Sequence, residues 1–464
     1  MHTPPDLALL IWLILLLLLL KFDPARTPGT SPALWLPVTW IFILASRNPS
    51  QWLSGIGGAL SAKSIQKGNP LDEAVFLFLI LTSIWVLSRR SIDWKSLFEH
   101  NAVLMAFVIF ALLSVCWSGF PFITFKRWFR DLGSYLAMLV VVSDVRPIEA
   151  TRTLLRRLTY LLVPLSIVLI KYFPALSNSY DPWTGVGTVG GVATSKNMLG
   201  TIFLACGIFI FWDSLARWPD RTNRQVRQTL IVNAVFAGMI LWLVHITKST
   251  TSEVCLILGC LVLGATRINF FRRHRTLLKM LVPFAFLLYL LLDFGLGLNG
   301  KMAEAVGKNP NLTDRTLIWA FLLKMHTNPL IGTGYQSFWV GPRLQYFWNN
   351  AGLGHINEAH NGYLEIYLEL GLIGVILMAI FLISALRAIS RNIDTGSQLG
   401  VLGLALWLVI VFYNMSEAAF EGGLLYTIFL ITAVRIPARN RMKLRRISPL
   451  EHTEAQTADT APAA

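Results

Sequence analysis

Apolar residues recur along this chain in stretches too long and too many for a water-soluble core, at 7–20, 34–45, 74–87, 102–116, 134–142, 158–170, 199–212, 229–246, 254–265, 281–292, 364–389, 399–413 and 424–434. A hydrocarbon core about 30 Å thick is crossed by roughly 20 apolar residues of helix, so the pattern predicts an all-α, polytopic transmembrane bundle of about 12–13 spans. With 55% hydrophobic and only 14% charged residues, a conventional polar surface is excluded. The first stretch lacks a basic start and meets Lys21 rather than a small-residue cleavage site, which makes it a span rather than a cleavable leader. Cys116, Cys206, Cys255 and Cys260 all fall in apolar runs without metal-ligand or disulfide spacing.

A formal net charge of +15 invites a nucleic-acid reading, but the basic residues are dispersed among short loops and a tail. They work instead as a topology signal. Arg217, Arg221, Arg224 and Arg227 separate two spans; Arg267, Arg272, Arg273, Arg275 and Lys279 separate the next pair; Arg435, Arg439, Arg441, Lys443, Arg445 and Arg446 follow the last. Assigned to the cytoplasm, these loops put 177–196, 247–252 and 294–361 outside by alternation. The expected organisation is an N-terminal bundle over 1–293, one long extracytoplasmic loop with short helices over 294–361, C-terminal membrane helices over 362–436, and a disordered basic tail over 437–464.

The long loop interrupts the hydrophobic monotony. It opens with the glycine-rich stretch 295–300, and a helix is expected from Thr313 to about His326, with Thr313 as N-cap, Asp314 in its first turn and Asn328-Pro329 as its stop. Leu317, Ile318, Phe321, Leu322 and Met325 give it an apolar face, which would hold Arg315 near the membrane surface. A segment rich in Gly and aromatic residues follows, including Gly332, Gly334, Tyr335, Trp339 and Trp348. Such rings suit stacking on carbohydrate, with Tyr335 a candidate glycan contact, and they suit a bilayer interface equally well.

Where this loop meets the next membrane helix stands Glu358-Ala359-His360-Asn361-Gly362-Tyr363-Leu364-Glu365. An imidazole at a water–lipid boundary is a candidate for proton chemistry on a membrane-borne substrate. Lipid-diphosphate chemistry needs cations for the departing diphosphate and a base for the attacking hydroxyl. The outward loops supply Arg315 and Arg343 as the first and His360 as the second, with His326 and His355 in less structured contexts. Glu365 and Glu369 stand four apart in the following helix and should face protein or a wet cavity, paired with an arginine or taking part directly. Glu417 and Glu421 can join the same cavity. The outward cluster of Lys126, Arg127 and Arg130 runs against the positive-inside trend, which suits an anionic lipid headgroup. Lys196 follows a glycine-containing loop whose backbone N–H groups could approach an anion, without the spacing of a nucleotide-binding loop.

Together and in this order, these residues resemble the O-antigen ligase and O-antigen and exopolysaccharide polymerase superfamily of bacterial envelope glycosyltransferases. The most specific match is His360-Asn361, nine residues, then Gly371-x-x-Gly374. Asp314 to Trp319, Asn328 to Gly334, Ser195-Lys196-Asn197-x-x-Gly200 and Asn414 to Glu417 add to it, over residues 100–435. Trp319 and Ser195 depart from the usual Leu and His. The resemblance implies an inverting, metal-independent, cofactor-free transferase in the bacterial inner membrane, its active site facing the periplasm and its donor an undecaprenyl-diphosphate-linked oligosaccharide. It implies the base role for His360 and diphosphate binding for Arg315, carried by loop position to Arg127 and Lys196. Asn361, Gly371 and Gly374 enter as motif positions. The acceptor is left open among another glycan, lipid A core and a protein side chain. A lipid-linked glycan flippase is the alternative; it should distribute polar residues through the bundle, whereas the candidates here cluster on one side.

Overall fold

The computed structural model describes residues 4–25, 29–54, 68–180, 187–296 and 315–435. The helices of seven or more residues are α1 (Pro5–Phe22), α2 (Trp35–Ala45), α3 (Pro70–Ser88), α4 (Trp94–His100), α5 (Ala102–Leu113), α6 (Pro121–Val142), α7 (Pro147–Tyr172), α8 (Lys196–Arg217), α9 (Arg224–Thr247), α10 (Thr250–Ala265), α11 (Arg275–Leu296), α12 (Arg315–Leu322), α13 (Pro342–Asn350), α14 (Gly362–Asp394), α15 (Gln398–Tyr413) and α16 (Leu424–Ala433). The strands described, Asn178–Tyr180 and Gly187–Val189, form one antiparallel ribbon before α8.

Every apolar stretch read from the sequence falls on helix, and the chain is an all-α polytopic membrane bundle. Not every stretch makes a full span. Among the described residues, α1, α3, α7, α8, α9, α11 and α14 are long and apolar enough to cross a bilayer, and α4 with α5 makes an eighth only if a pair bent by 89° is counted as one. The stretches on α2, α10, α15 and α16 lie on shorter helices. Residue by residue, α16 is buried throughout and α15 nearly so. Helices walled in by protein can be apolar without matching the bilayer's thickness. Conversely α1 and α11 bury little and present Leu and Phe outward, as lipid-facing helices do. The stretch 134–142 is the C-terminal part of α6, whose N-terminal half carries Lys126, Arg127 and Arg130.

The described part of the long loop, 315–361, folds around its own small core of Ile318, Leu322, Phe338, Phe347, Ile356 and Ala359, sealed onto the bundle by Leu368 of α14. The expected N-cap Thr313 and Asp314, the glycine run 297–300 and the tail 437–464 lie outside the described residues. The loop helix is shorter than expected, ending at Leu322 instead of near His326. Asn328 then turns the chain, its Oδ1 accepting from the Leu330 and Ile331 N–H groups, and Pro329 to Gly334 runs against α14.

That contact explains two sequence motifs at once. Inside α14, Gly371 adopts φ 63° and ψ −164°, breaking the helix. In an unbroken helix the N–H groups of Leu372 and Ile373 would donate to the carbonyls of Leu368 and Glu369. Here they donate to Pro329 O (2.9 Å) and Leu330 O (3.1 Å), while Leu368 O and Glu369 O accept from Thr333 N (3.1 Å) and Gly334 N (2.8 Å). The loop is spliced into the helix with each of these groups satisfied. Both sides must be glycine: a Cβ on Gly371 would stand 2.3 Å from the Leu330 carbonyl carbon, and one on Gly332, at φ 65°, 2.3 Å from that of Glu369.

Gly371→Ala should therefore cost at least the ~1–2 kcal/mol of a left-handed non-glycine residue, plus the backbone clash. The detergent-solubilised variant should unfold at clearly lower temperature than the parent. Gly238→Ala in the interior of α9, where a Cβ meets nothing within 4 Å, should be neutral or mildly stabilising. Equal thermal shifts in the two variants would refute the splice.

Candidate functional site

His360 is held by its neighbours' backbone. The Ala359 N–H donates to Glu365 Oε1 (2.6 Å) and its carbonyl accepts from the Trp319 indole (2.8 Å). This fixes the peptide from both sides and puts His360 in the left-handed region at φ 49°. Asn361 caps α14, its Oδ1 accepting from the N–H groups of Tyr363 (3.1 Å) and Leu364 (3.0 Å). Gly362 follows with no side chain because a Cβ would stand 1.9 Å from Asn414 Oδ1; its N–H donates to the carbonyls of Asn414 and Glu417, each at 2.9 Å. The segment after α15 is thus fastened beneath the histidine.

Four parts of the chain meet on Glu417, whose side chain is 6% exposed. Arg315 Nη2, at the start of α12, lies 2.5 Å from its Oε1. Asn197, in the first turn of α8, donates to its Oε2 (3.0 Å), and His360 Nδ1 stands 3.3 Å from the same oxygen. Glu358 Oε1 approaches His360 Nδ1 from the other side at 3.0 Å. Burial opposes charging the imidazole, but the two carboxylates outweigh it and push His360 up to about 10. The Glu358 carboxyl falls below its ordinary value, burial being overcome by His360 and Arg315. At neutral pH the four groups therefore form a charge-balanced cluster with an imidazolium. Donor atoms of Glu358, His360 and Glu417 lie within 4.8 Å of one another, close enough to surround a divalent ion, but Arg315 already occupies one oxygen of Glu417. The arrangement is that of an ion-pair network more than of a metal cage.

The other sequence candidates divide by location. Arg127 on α6 donates to the Gln336 carbonyl, and these two residues line two neighbouring cavities of about 470 Å³ each. One continues along Lys126, Arg130, Phe76 and Ile80; the other contains Glu358, Glu365, Glu369 and Glu421. Lys196 opens α8 beside Asn197. The loop before it, expected to offer N–H groups to an anion, instead turns the carbonyls of Val192 and Ala193 (3.0 Å each) toward the buried Arg47 guanidinium. Arg343 stands apart from the Glu417 cluster, its guanidinium 5.3 Å over the Phe338 ring. Tyr335 is buried, its hydroxyl donating to Asp131 (2.9 Å), so it supports the cavity wall from behind. Among the described residues neither Glu365 nor Glu369 makes an ion pair with an arginine, although Arg127 lies near enough to Glu369 to attract it. Glu365 accepts from the Trp339 indole (2.9 Å) besides Ala359, and Glu369 accepts from the Gln336 N–H (2.6 Å).

Sequence reasoning undervalued Glu417 and passed over Glu358, Asn197 and Trp319. Glu417 had one signal, a carboxylate at the outward end of an apolar run, but nothing local tells that it receives Arg315, which lies 102 residues away. Trp319 looked like a departure from a motif and instead supplies the hydrogen bond to Ala359.

Two comparisons bear on identity. Residues 234–379 match the O-antigen ligase family, a region holding Arg315, His360, Asn361, Gly371 and Gly374. The chain is also similar to the exopolysaccharide production protein ExoQ of Rhizobium meliloti, 26% identical over 325 residues that make up 66% of this chain and 71% of the relative. The spliced Gly371 break and the His360–Asn361 cap account in physical terms for the motif inside the matched region, and both findings support the superfamily of O-antigen ligases and O-antigen and exopolysaccharide polymerases.

Proposed function

We propose that this chain transfers a glycan from an undecaprenyl-diphosphate-linked donor to a sugar hydroxyl, by a single inverting displacement on the periplasmic side of the bacterial inner membrane. The observation that carries the reading is the meeting of Arg315 and His360 on one buried carboxylate, Glu417. It joins a fixed cation to a titratable base. In the displacement, His360 takes the proton of the acceptor hydroxyl as that oxygen attacks the anomeric carbon, and the diphosphate departs with the anomeric bond's electron pair, stabilised by arginines. Side-chain cations serve where a metal otherwise would.

The cavity along Lys126, Arg127 and Arg130 supports the lipid-diphosphate donor. Its cations share the wall with the apolar side chains of Phe76, Leu77 and Ile80 and with Asp72 and Glu73, Lys126 pairing with Glu73 at 2.7 Å, so one pocket joins cations to apolar surface. Helix α8 supports the sidedness: Asn197 reaches Glu417 from its first turn, while Arg217 closes the far end of this 22-residue helix, about 30 Å from Asn197. The arginine-rich loops thus lie at the opposite end of the bundle from the cluster, as positive-inside topology requires. The likeness to an exopolysaccharide production protein favours another glycan, over lipid A core or protein, as acceptor. The segment 294–361 is then the catalytic loop between two membrane units.

In vesicles supplied with an undecaprenyl-diphosphate oligosaccharide, the purified chain should form glycosidic product and release undecaprenyl diphosphate. His360→Ala should lower the rate by about 10²–10⁴-fold, the usual worth of a positioned base, without loss of insertion. Full activity in that variant removes His360 from the mechanism.

The carboxylates around His360 set the sign of the pH dependence. Only the neutral imidazole accepts a proton, and the group is held charged up to about 10, so the rate should climb about tenfold per pH unit from neutrality toward that value. Glu417→Gln removes one of the two stabilising carboxylates and should move the rise to lower pH. A flat profile in the parent, or an unmoved one in the variant, contradicts the base assignment.

A further inference from the structure

The cavity that borders the ion-pair cluster has a chemistry of its own. We propose that it is the acceptor subsite and that it selects an uncharged, hydroxyl-rich pyranose chain end over an acidic sugar. This rests on the transferase reading above and adds a substrate class to it.

Five observations point the same way. At about 470 Å³ the space is within the range of small-ligand sites. Two tryptophans in its wall have their orientations locked: the Trp339 indole donates to Glu365 and that of Trp348 to Ile356 O (2.7 Å). Trp339 also packs on Phe338 and Phe347, and Trp348 on His355; the ring surface that still lines the cavity is apolar, the partner that the C–H faces of a pyranose take. Next, the polar part of the wall is rich in acceptors. Glu358, Glu365, Glu369 and Glu421 all line it, and Oε1 of Glu421 is buried with no hydrogen-bond partner among the described residues. A buried acceptor of this kind calls for a donor, and a sugar hydroxyl is one.

Charge then discriminates. Four carboxyl groups share this wall with a single arginine, Arg127, which already donates to Gln336 O, and burial holds Glu421 up to about 7. A uronic acid or acidic substituent would add a further desolvated anion to a wall that already resists negative charge. Finally, the position is right for delivery. Glu358 belongs both to this wall and to the cluster, 3.0 Å from His360 Nδ1, so a chain-end hydroxyl seated beside Glu358 arrives next to the proposed base. The neighbouring cavity, on the other side of Arg127 and Gln336, carries the lysine and arginines suited to the anionic donor, and the two substrates are separated by charge.

The test uses the full chain in vesicles with two probes, a neutral tetrasaccharide ending in glucose and the same tetrasaccharide oxidised to a terminal glucuronic acid. In the binding arm, without donor, the neutral probe should perturb tryptophan fluorescence at about tenfold or more lower concentration than the acidic one. In the transfer arm the same order should appear in kcat/KM for acceptor. Trp348→Ala should raise the acceptor KM with the donor KM unchanged, and Trp348→Phe should restore most of it. Glu421→Gln should narrow the preference between the probes. Equal use of the two probes, or a Trp348→Ala effect confined to donor KM, overturns the subsite. Binding of the neutral probe without any transfer or diphosphate release would instead retain the subsite and overturn the transferase reading, so the two can fail separately.

Discussion

The break in α14 at Gly371 is the constraint on which the site's geometry rests. A straight helix would need no partner; a broken one exposes backbone groups that must be paired, and the 329–334 segment pairs them. Because that segment leads straight into Tyr335 and Gln336, the splice also fixes the shared wall of the two cavities: Gln336 N–H to Glu369, Gln336 O to Arg127, Gln336 Nε2 to Asp131. On the other side of the break, the short first segment of α14 carries Asn361, Glu365 and Glu369. Loop and helix are one unit, and the nine-residue interval between His360-Asn361 and Gly371 is the length of the helical piece between cap and break.

Beside this unit, Arg315, His360, Glu358 and Glu417 are arranged so that each charge has a partner of opposite sign. Removing one member of a buried ion pair costs about 3–5 kcal/mol because the partner is left charged, and Glu417 is positioned to incur that cost from two directions, Arg315 and His360. The consequence for chemistry is a strongly basic imidazole. A lone histidine near pH 6.5 would already be neutral at physiological pH; flanked by Glu358 and Glu417, His360 has the greater proton affinity but spends most of its time charged. Proton affinity and availability are traded against each other, as in any base tuned by carboxylates.

How much of this was legible in the sequence follows from the range of the interactions. Hydropathy is local, so all the apolar stretches were found; whether a stretch crosses the membrane depends on what surrounds it, and α15 and α16 are enclosed by protein. The cap at Asn361 was half readable, since a residue with a short side-chain acceptor before a helix is a local signal. The function of Gly371 was readable only as a spacing, because its partner at Pro329–Gly334 is some forty residues away in sequence. Desolvation makes partners necessary for Glu365 and Glu369 but does not name them: an indole and backbone N–H groups donate to them, and Arg127 attracts Glu369 from nearby. Arg47 shows the converse: a loop with glycines that looked made for an anion has its carbonyls turned inward on a cation.

A second buried ion network shows why chemistry concentrates at one end. Asp213 on α8 is fully buried and meets Arg156, Arg152 and Arg217, with Asn233 donating to it at 3.1 Å. It lies toward the Arg217 end of the helix whose first turn feeds Glu417, and it ties α7, α8 and α9 together. Arginine does not give up its proton in proteins, so such a network can anchor helices but cannot relay protons. The Glu417 cluster has the same ingredients with one substitution in kind, an imidazole in place of a guanidinium. That exchange turns a structural ion pair into one whose charge can change during a reaction, and it occurs at the end of the bundle where cavities of opposite chemical character open on either side of Arg127.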